Sequence, residues 1–288
     1  MATWRLDPEV NPASVGVDAA VLEQMAAGFY DGVESGALCR GAQMAMYRGG
    51  KKVLDVGAGI ARERTRVPVT PDTMFVIFSS TKGLGALAML MLYERKKFHY
   101  DEPVVKYWPE FARVIPEKRS VTIRHVVSHR AGLPAGPAWL TPRYWDDRQA
   151  IGKAMEELPL AFIPGEKNAY HSMNFGHLLN ELVQRIDGRN CGHFLRDEVF
   201  APLGLRDIYV GLPDDAALEA RVAWVYNELA ARSGARASGV TVDDMPLEEA
   251  EPRTSSVRPV EVPVEVKERF RETPEQMHPM NRPEVHQA

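Results

Sequence analysis

The stretch FVIFSSTKGLGALAMLMLYERKK, Phe75 to Lys97, decides how this chain reads. It places a hydroxyl and an ammonium, Ser79 and Lys82, at the mouth of a very apolar helix. One reading is a helix cap with a lysine nearby. The other is a nucleophile with its proton acceptor one turn away. Serine holds its proton tightly and attacks only when a base stands within hydrogen-bond reach. Residues three apart share one face of a helix, so Ser79 and Lys82 are expected to point together. The positive end of the helix dipole and the desolvating apolar wall behind would favour an uncharged amine in a dry cleft. The N–H groups at that helix end could also face a developing oxyanion. A Ser-x-x-Lys spacing arises by chance in many proteins. Here Ser79 is the one serine followed three residues on by lysine, and it sits where a strand is expected to meet a helix.

Working towards the N-terminus, VDAAVLEQMAAGFYDGVESG predicts an amphipathic helix capped by Asp18, with Val21, Met25, Phe29 and Val33 on its buried face. Two apolar segments flank Arg48-Gly49-Gly50-Lys51, which predicts a hairpin with strands at Ala42–Tyr47 and Lys52–Gly57. MFVIF reads as a short strand leading into a helix that starts near Ser79. Beyond Lys97, Pro103 and Pro109 interrupt any long element. Helices are expected at about Ile123 to His129, over DRQAIGKAMEEL, from about Ser172 to Ile186, from about Cys191 to Phe200, and through DAALEARVAWVYNELAA to Ala231. From Arg232 the chain is rich in proline and charge and poor in aromatics. The expectation is one domain over 1–231 and a disordered or loosely packed tail over 232–288. Pro263 limits VEVPVEVKERF in that tail to an edge strand at best.

The 288 residues are 45% hydrophobic and 26% charged, with a net charge of −4. That suits a globular protein and gives no basic block for nucleic acid. Cys39 and Cys191 form neither a disulfide framework nor a zinc set, and read as two buried thiols in a reducing compartment. Neither a secretory leader nor an apolar run long enough to span a bilayer is apparent, so the expected location is cytoplasmic, without membrane association. Oligomeric state is not legible. GLGALA, Gly83 to Ala88, fits Gly-x-Gly-x-x-Ala with Asp101 downstream, but Pro103 and the lack of an apolar run into Asp101 argue against a dinucleotide site. The small residues more simply permit close helix packing.

Three blocks then carry a resemblance. FSSTKGLGALAMLMLYERKKFHYDEPVVKYWPEF, VTIRHVVSHRAGLP and PGEKNAYHSMNFGHLLNELVQRIDG, in this order, resemble the serine β-lactamase-related family of class C β-lactamases, DD-peptidases and similar esterases. The resemblance implies an α/β fold of the β-lactamase/transpeptidase type: an antiparallel sheet flanked by helices, plus a mostly helical subdomain. It implies Ser79 as the acylated nucleophile, Lys82 as its partner base, and Tyr170 as the group sharing protons with both and with the leaving group. Ser172 takes the third place of the Tyr-x-Asn motif, a form familiar in the esterase-like branch, and reads either as a substrate-side residue or as an N-cap. His129 reads as a structural histidine, and His171 either as a support behind the reacting residues or as exposed, without chemistry of its own.

The implied activity is serine hydrolysis of small-molecule esters or amides through an acyl-enzyme, with no metal or organic cofactor. The family's third block, Lys-Thr-Gly or His-x-Gly on a pocket strand, has no counterpart here. Arg232-Ser233-Gly234 matches it only superficially, and the expectation is a chain that lacks the family's C-terminal strands. The alternative is therefore a catalytically impaired homologue that serves as a binding scaffold.

Overall fold

Arg48 and Lys51 pair across Gly49-Gly50, whose φ angles of 57° and 74° are those a two-residue hairpin turn requires, in a computed structural model that describes residues 1–141 and 144–225. The chain divides into two units. One holds Met1–Val76 with the described residues from Asp215 onward, and the other holds Ile77–Asp214. The segment 232–288 and everything expected of it lie outside the described residues.

In the first unit β1 (Thr3–Arg5), β2 (Gly41–Arg48), β3 (Lys51–Arg62) and β4 (Val67–Pro68) form an antiparallel sheet in the order β1-β3-β2, with β4 also on β3. Both hairpin strands exceed the predicted lengths, β3 by five residues at its C-terminal end because it also receives β4. Helix α1 (Ala19–Glu34) is capped by Asp18, whose side chain accepts from Ala20 N, as predicted. Its buried face is Leu22, Ala26, Phe29 and Val33, packed on Val53, Leu54, Val56 and Ala58. Val21 and Met25 are exposed, so the first two turns present a face rotated by one residue from the one predicted. Hydrophobicity alone could not choose between Val21-Met25 and Leu22-Ala26, which lie side by side on the helix.

Gly59 shows how tightly β3 meets its neighbours. Its φ is +90°, and a Cβ there would lie 2.1 Å from the carbonyl oxygen of Arg40. Gly59→Ala is expected to destabilise the fold by about 3 kcal/mol, read by urea unfolding. A loss below about 1 kcal/mol would contradict this account of the strand.

Two expectations fail in this region. MFVIF is not a strand: Met74 makes one isolated parallel bridge to Val222, and Phe78 already belongs to a 3-10 turn. Of the helix expected through Ala231, the described residues to Val225 hold only α7 (Ala216–Glu219), and 226–231 lie outside the described residues. Val222 instead pairs with Met74, and the Trp224 ring lies under the guanidinium groups of Arg62 and Arg64, 5.6 Å from each. Tertiary pairing thus overrides helix propensity.

The second unit is helical: α2 (Thr81–Glu94), α3 (Ile123–Val127), α4 (Arg148–Glu157), α5 (Asn174–Asp187) and α6 (Cys191–Leu195), the last continuing into a π turn over Arg196–Phe200. Its core joins Met89 and Leu92 of α2 with Phe175, Leu178, Leu179 and Leu182 of α5, around Trp108, Phe111 and Phe194. Buried Lys118 donates to the carbonyls of Met155 and Glu156 at the end of α4, where a cation complements the helix dipole. Desolvation brings its pKa down to about 8. Glu181, nearly buried on α5, is held by two guanidinium groups, Arg148 and Arg185.

Candidate active site

Phe78 is the residue that delivers Ser79. Its φ of +46° is a left-handed conformation, strained by roughly 1–3 kcal/mol for a bulky side chain. The chain bends there, Ser79 falls in the 3-10 turn Phe78–Ser80, and α2 begins two residues later. Ser79 is exposed as a result. Lys82, on the first turn of α2, donates from Nζ to Ser79 Oγ at 3.1 Å. Tyr170 donates from its hydroxyl to the same Oγ at 2.5 Å. The Lys82 ammonium also lies over two aromatic faces, 4.8 Å from the Tyr170 ring centre and 5.9 Å from that of Phe175. A cation on an aromatic face is held by the ring quadrupole, which fixes the amine between the serine and the tyrosine.

The Tyr170 phenol has its pKa lowered from the ordinary value. The hydrogen bond with Ser79 is the main cause, desolvation opposes it, and Lys82 adds to it. Ser79, Lys82 and Tyr170, expected together from the sequence, are together in space. The expectation of a dry cleft does not hold: Tyr170 is 51% exposed and Ser79 is open to water.

Packing sets the distance between the two helices that frame these groups. A Cβ on Gly85 would stand 3.1 Å from Leu179 Cδ1, so the missing side chain lets α2 approach α5 closely. That is the use to which GLGALA is put, while Asp101 is gripped bidentately by Arg124.

Ser172 is exposed and is not a partner of Ser79 Oγ. It does not cap α5 either, because the cap position is Met173, without a side-chain bond. His171 is fully buried, contrary to the exposed alternative. Its Nε2 accepts from Leu133 N at 3.0 Å, which leaves the proton on Nδ1 to donate to Ala169 O at 2.5 Å. Asn174 donates to the Leu133 carbonyl, so one residue of the neighbouring loop is tied at both its polar groups. Phe175, which underlies Lys82, went unread in the sequence. Its signal was the aromatic placed at the start of the helix following Tyr170.

Burial takes the pKa of both His171 and His177 down to about 4. A lowered folded-state value means the unfolded chain binds the proton more tightly. The stability tied to the neutral rings is then complete above pH 6.5 and is lost as pH falls through the window towards 4. Each ring accounts for about 3 kcal/mol over that window. His177→Phe removes a buried Nε2 that has no hydrogen-bond partner. It is expected to reduce the loss of unfolding free energy between pH 6.5 and 4 by about 3 kcal/mol, read by urea titration at several pH values.

Cys191 is buried, with its thiol pushed up to about 11, while Cys39 is only half-buried rather than enclosed as expected. Among the described residues, no group of three or more His, Cys, Asp or Glu side chains could hold a metal ion, and no helix is long and apolar enough to cross a membrane.

A family model described as Beta-lactamase matches residues 21–245. Over 176 residues the chain is 34% identical to "Esterase/beta-lactamase LipL" of Mycobacterium tuberculosis, across 60% of this chain and 39% of that protein. A solved penicillin-binding protein homologue from Caulobacter crescentus is 34% identical with a TM-score of 0.63, covering 79% of this chain and 57% of that one. A solved family VIII carboxylesterase is 30% identical, also at a TM-score of 0.63, covering 72% and 56% respectively. The chain thus spans about two fifths of LipL and little more than half of these two structures. The fold is of the β-lactamase/transpeptidase type, an antiparallel sheet with helices.

Proposed function

Because the chain belongs to the beta-lactamase family, we propose that it is a serine hydrolase that cleaves small esters or amides through an acyl-enzyme on Ser79. The observation that carries this reading is the convergence of Lys82 Nζ and Tyr170 OH on one serine oxygen, at 3.1 and 2.5 Å. Both are within the reach a proton transfer needs. Ser79 Oγ attacks the carbonyl carbon and its proton passes to the Tyr170–Lys82 pair. Tyr170 is the nearer acceptor, and its phenolate form is favoured by its neighbours. Lys82 keeps a positive charge beside that oxygen. The carbonyl becomes a tetrahedral oxyanion, which the backbone N–H of Ser79 itself can face, while those of Ser80 and Thr81 donate to the Ile77 and Phe78 carbonyls. The C–O or C–N bond breaks as Tyr170 returns the proton to the leaving group. Water, deprotonated by the same pair, then releases the acid and restores Ser79.

Esters are the favoured class. Ile77 and Phe78 before the nucleophile and Met173 after Tyr170 are exposed apolar side chains, suited to uncharged acyl or alkoxy groups. Ser172, in place of the asparagine typical of β-lactamases, points the same way. The test is covalent labelling of the intact chain by a fluorophosphonate and by a β-lactam, with the modified peptide identified by mass. Labelling at Ser79 is expected, faster with the fluorophosphonate. A well-folded chain that takes up neither reagent is instead the binding scaffold, and the hydrolase reading falls.

A further inference from the structure

We propose that His129 is the positioning residue for Tyr170, gripping the chain on both sides of it through its ring and its own carbonyl. The inference rests on the reading of Tyr170 as part of the reacting group.

Two bonds straddle the tyrosine. Ala169 N donates to the His129 carbonyl at 3.1 Å, and His171 N donates to His129 Nδ1 at 3.0 Å. The residue before Tyr170 and the residue after it are therefore anchored to one side chain and its backbone. The ring also packs, tilted, against what it positions: its centre lies 4.8 Å from the Tyr170 ring and 4.6 Å from the Phe175 ring. Reaching this place requires φ of +59°, an uncommon conformation that histidine tolerates better than most residues. A strained residue whose ring and carbonyl converge on a reactive neighbour is held for that purpose by the surrounding bonds.

The grip depends on protonation. Nδ1 can accept from His171 N only while the ring is neutral with its proton on Nε2. A protonated ring has two donors and no acceptor, so that bond is lost. The titratable groups facing the ring are Lys82 on α2, together with Tyr170 and His171 from the segment it grips. Desolvation and the nearby Lys82 charge both hold the His129 pKa below its ordinary value, so the grip persists at neutral pH.

The experiment compares His129→Ala, which removes the ring acceptor, with His129→Asn, which offers a short side-chain oxygen and tolerates positive φ. One measurement is kcat/KM for an activated ester against pH. The other is the titration of Tyr170 by tyrosinate absorbance, taken as the difference from Tyr170→Phe in each background, which needs no turnover. His129→Ala is expected to lower kcat/KM at least about tenfold and to return the Tyr170 titration towards the ordinary phenol value. His129→Asn is expected to recover most of both. It should also lack the separate limb below pH 6.5 that protonation of His129 adds in the wild type, beneath the higher limb set by Tyr170.

A Tyr170 titration unchanged in folded His129→Ala overturns the inference. If that variant does not fold, a limb below pH 6.5 persisting in His129→Asn overturns it, and disappearance of that limb supports it. Should the wild type hydrolyse nothing, the hydrolase reading fails while the tyrosine titration still decides the role of His129.

Discussion

Ser79→Ala is expected to abolish acyl transfer, with kcat falling by about 10⁴-fold or more while the fold is unchanged. Oγ of Ser79 is the atom on which Lys82 Nζ and Tyr170 OH converge, and it is the atom that carries the acyl chain between attack and release. Without it, whatever rate remains belongs to water guided by the pocket. Ser80, the adjacent hydroxyl, does not substitute, because Tyr170 and Lys82 both bond to the preceding oxygen. The stability change should stay within about 0.5 kcal/mol, because Ser79 is exposed and supports no core contact. Turnover of a p-nitrophenyl ester and intact mass after fluorophosphonate treatment check this together. A variant that still gains the label would place the nucleophile elsewhere.

Tyr170→Phe and Lys82→Ala follow, each expected to cost about 10²–10⁴-fold in kcat/KM. Tyr170→Phe keeps the ring under the Lys82 ammonium and the contact with His129, so its loss isolates the hydroxyl. The double variant should be little worse than the poorer single one, because two groups that manage one proton act as a unit. The pH profile adds an independent sign. The tyrosine must be deprotonated to accept from Ser79, so activity is lost as pH falls through its titration. With its pKa lowered, that limb lies below the ordinary phenol value of about 10. Lys82→Ala should move the limb upward, because the positive charge that favours the phenolate is gone. A limb that stays in place would assign the proton to another acceptor.

The reacting group was legible in the sequence because it is written in short-range chemistry. Ser79 and Lys82 stand three residues apart at one helix start, and Tyr170 stands four residues ahead of a strongly amphipathic helix. The hairpin was equally legible, since Gly49-Gly50 between apolar segments admits few alternatives. What escaped were features decided by distant partners. The face of α1 is chosen by β3, not by the residues of α1 alone. The apolar segments Met74–Phe78 and Val222–Val225 each suggested a regular element, yet Met74 and Val222 make only an isolated bridge and Trp224 N donates to the Ala61 carbonyl of β3. His129 and His171 read as bystanders because a hydrogen bond between a ring nitrogen and an amide 42 positions away leaves no trace in local spacing.

Gly85 offers neither charge nor hydroxyl, yet by its bareness it gauges the gap between the helix that bears the lysine and the helix downstream of the tyrosine. A single methyl there would act as a shim, nudging Leu179 by a few tenths of an ångström and tilting the geometry at the serine without touching it. The reactivity of such a molecule could be retuned from its interior, by choices of bulk that no survey of polar residues would single out.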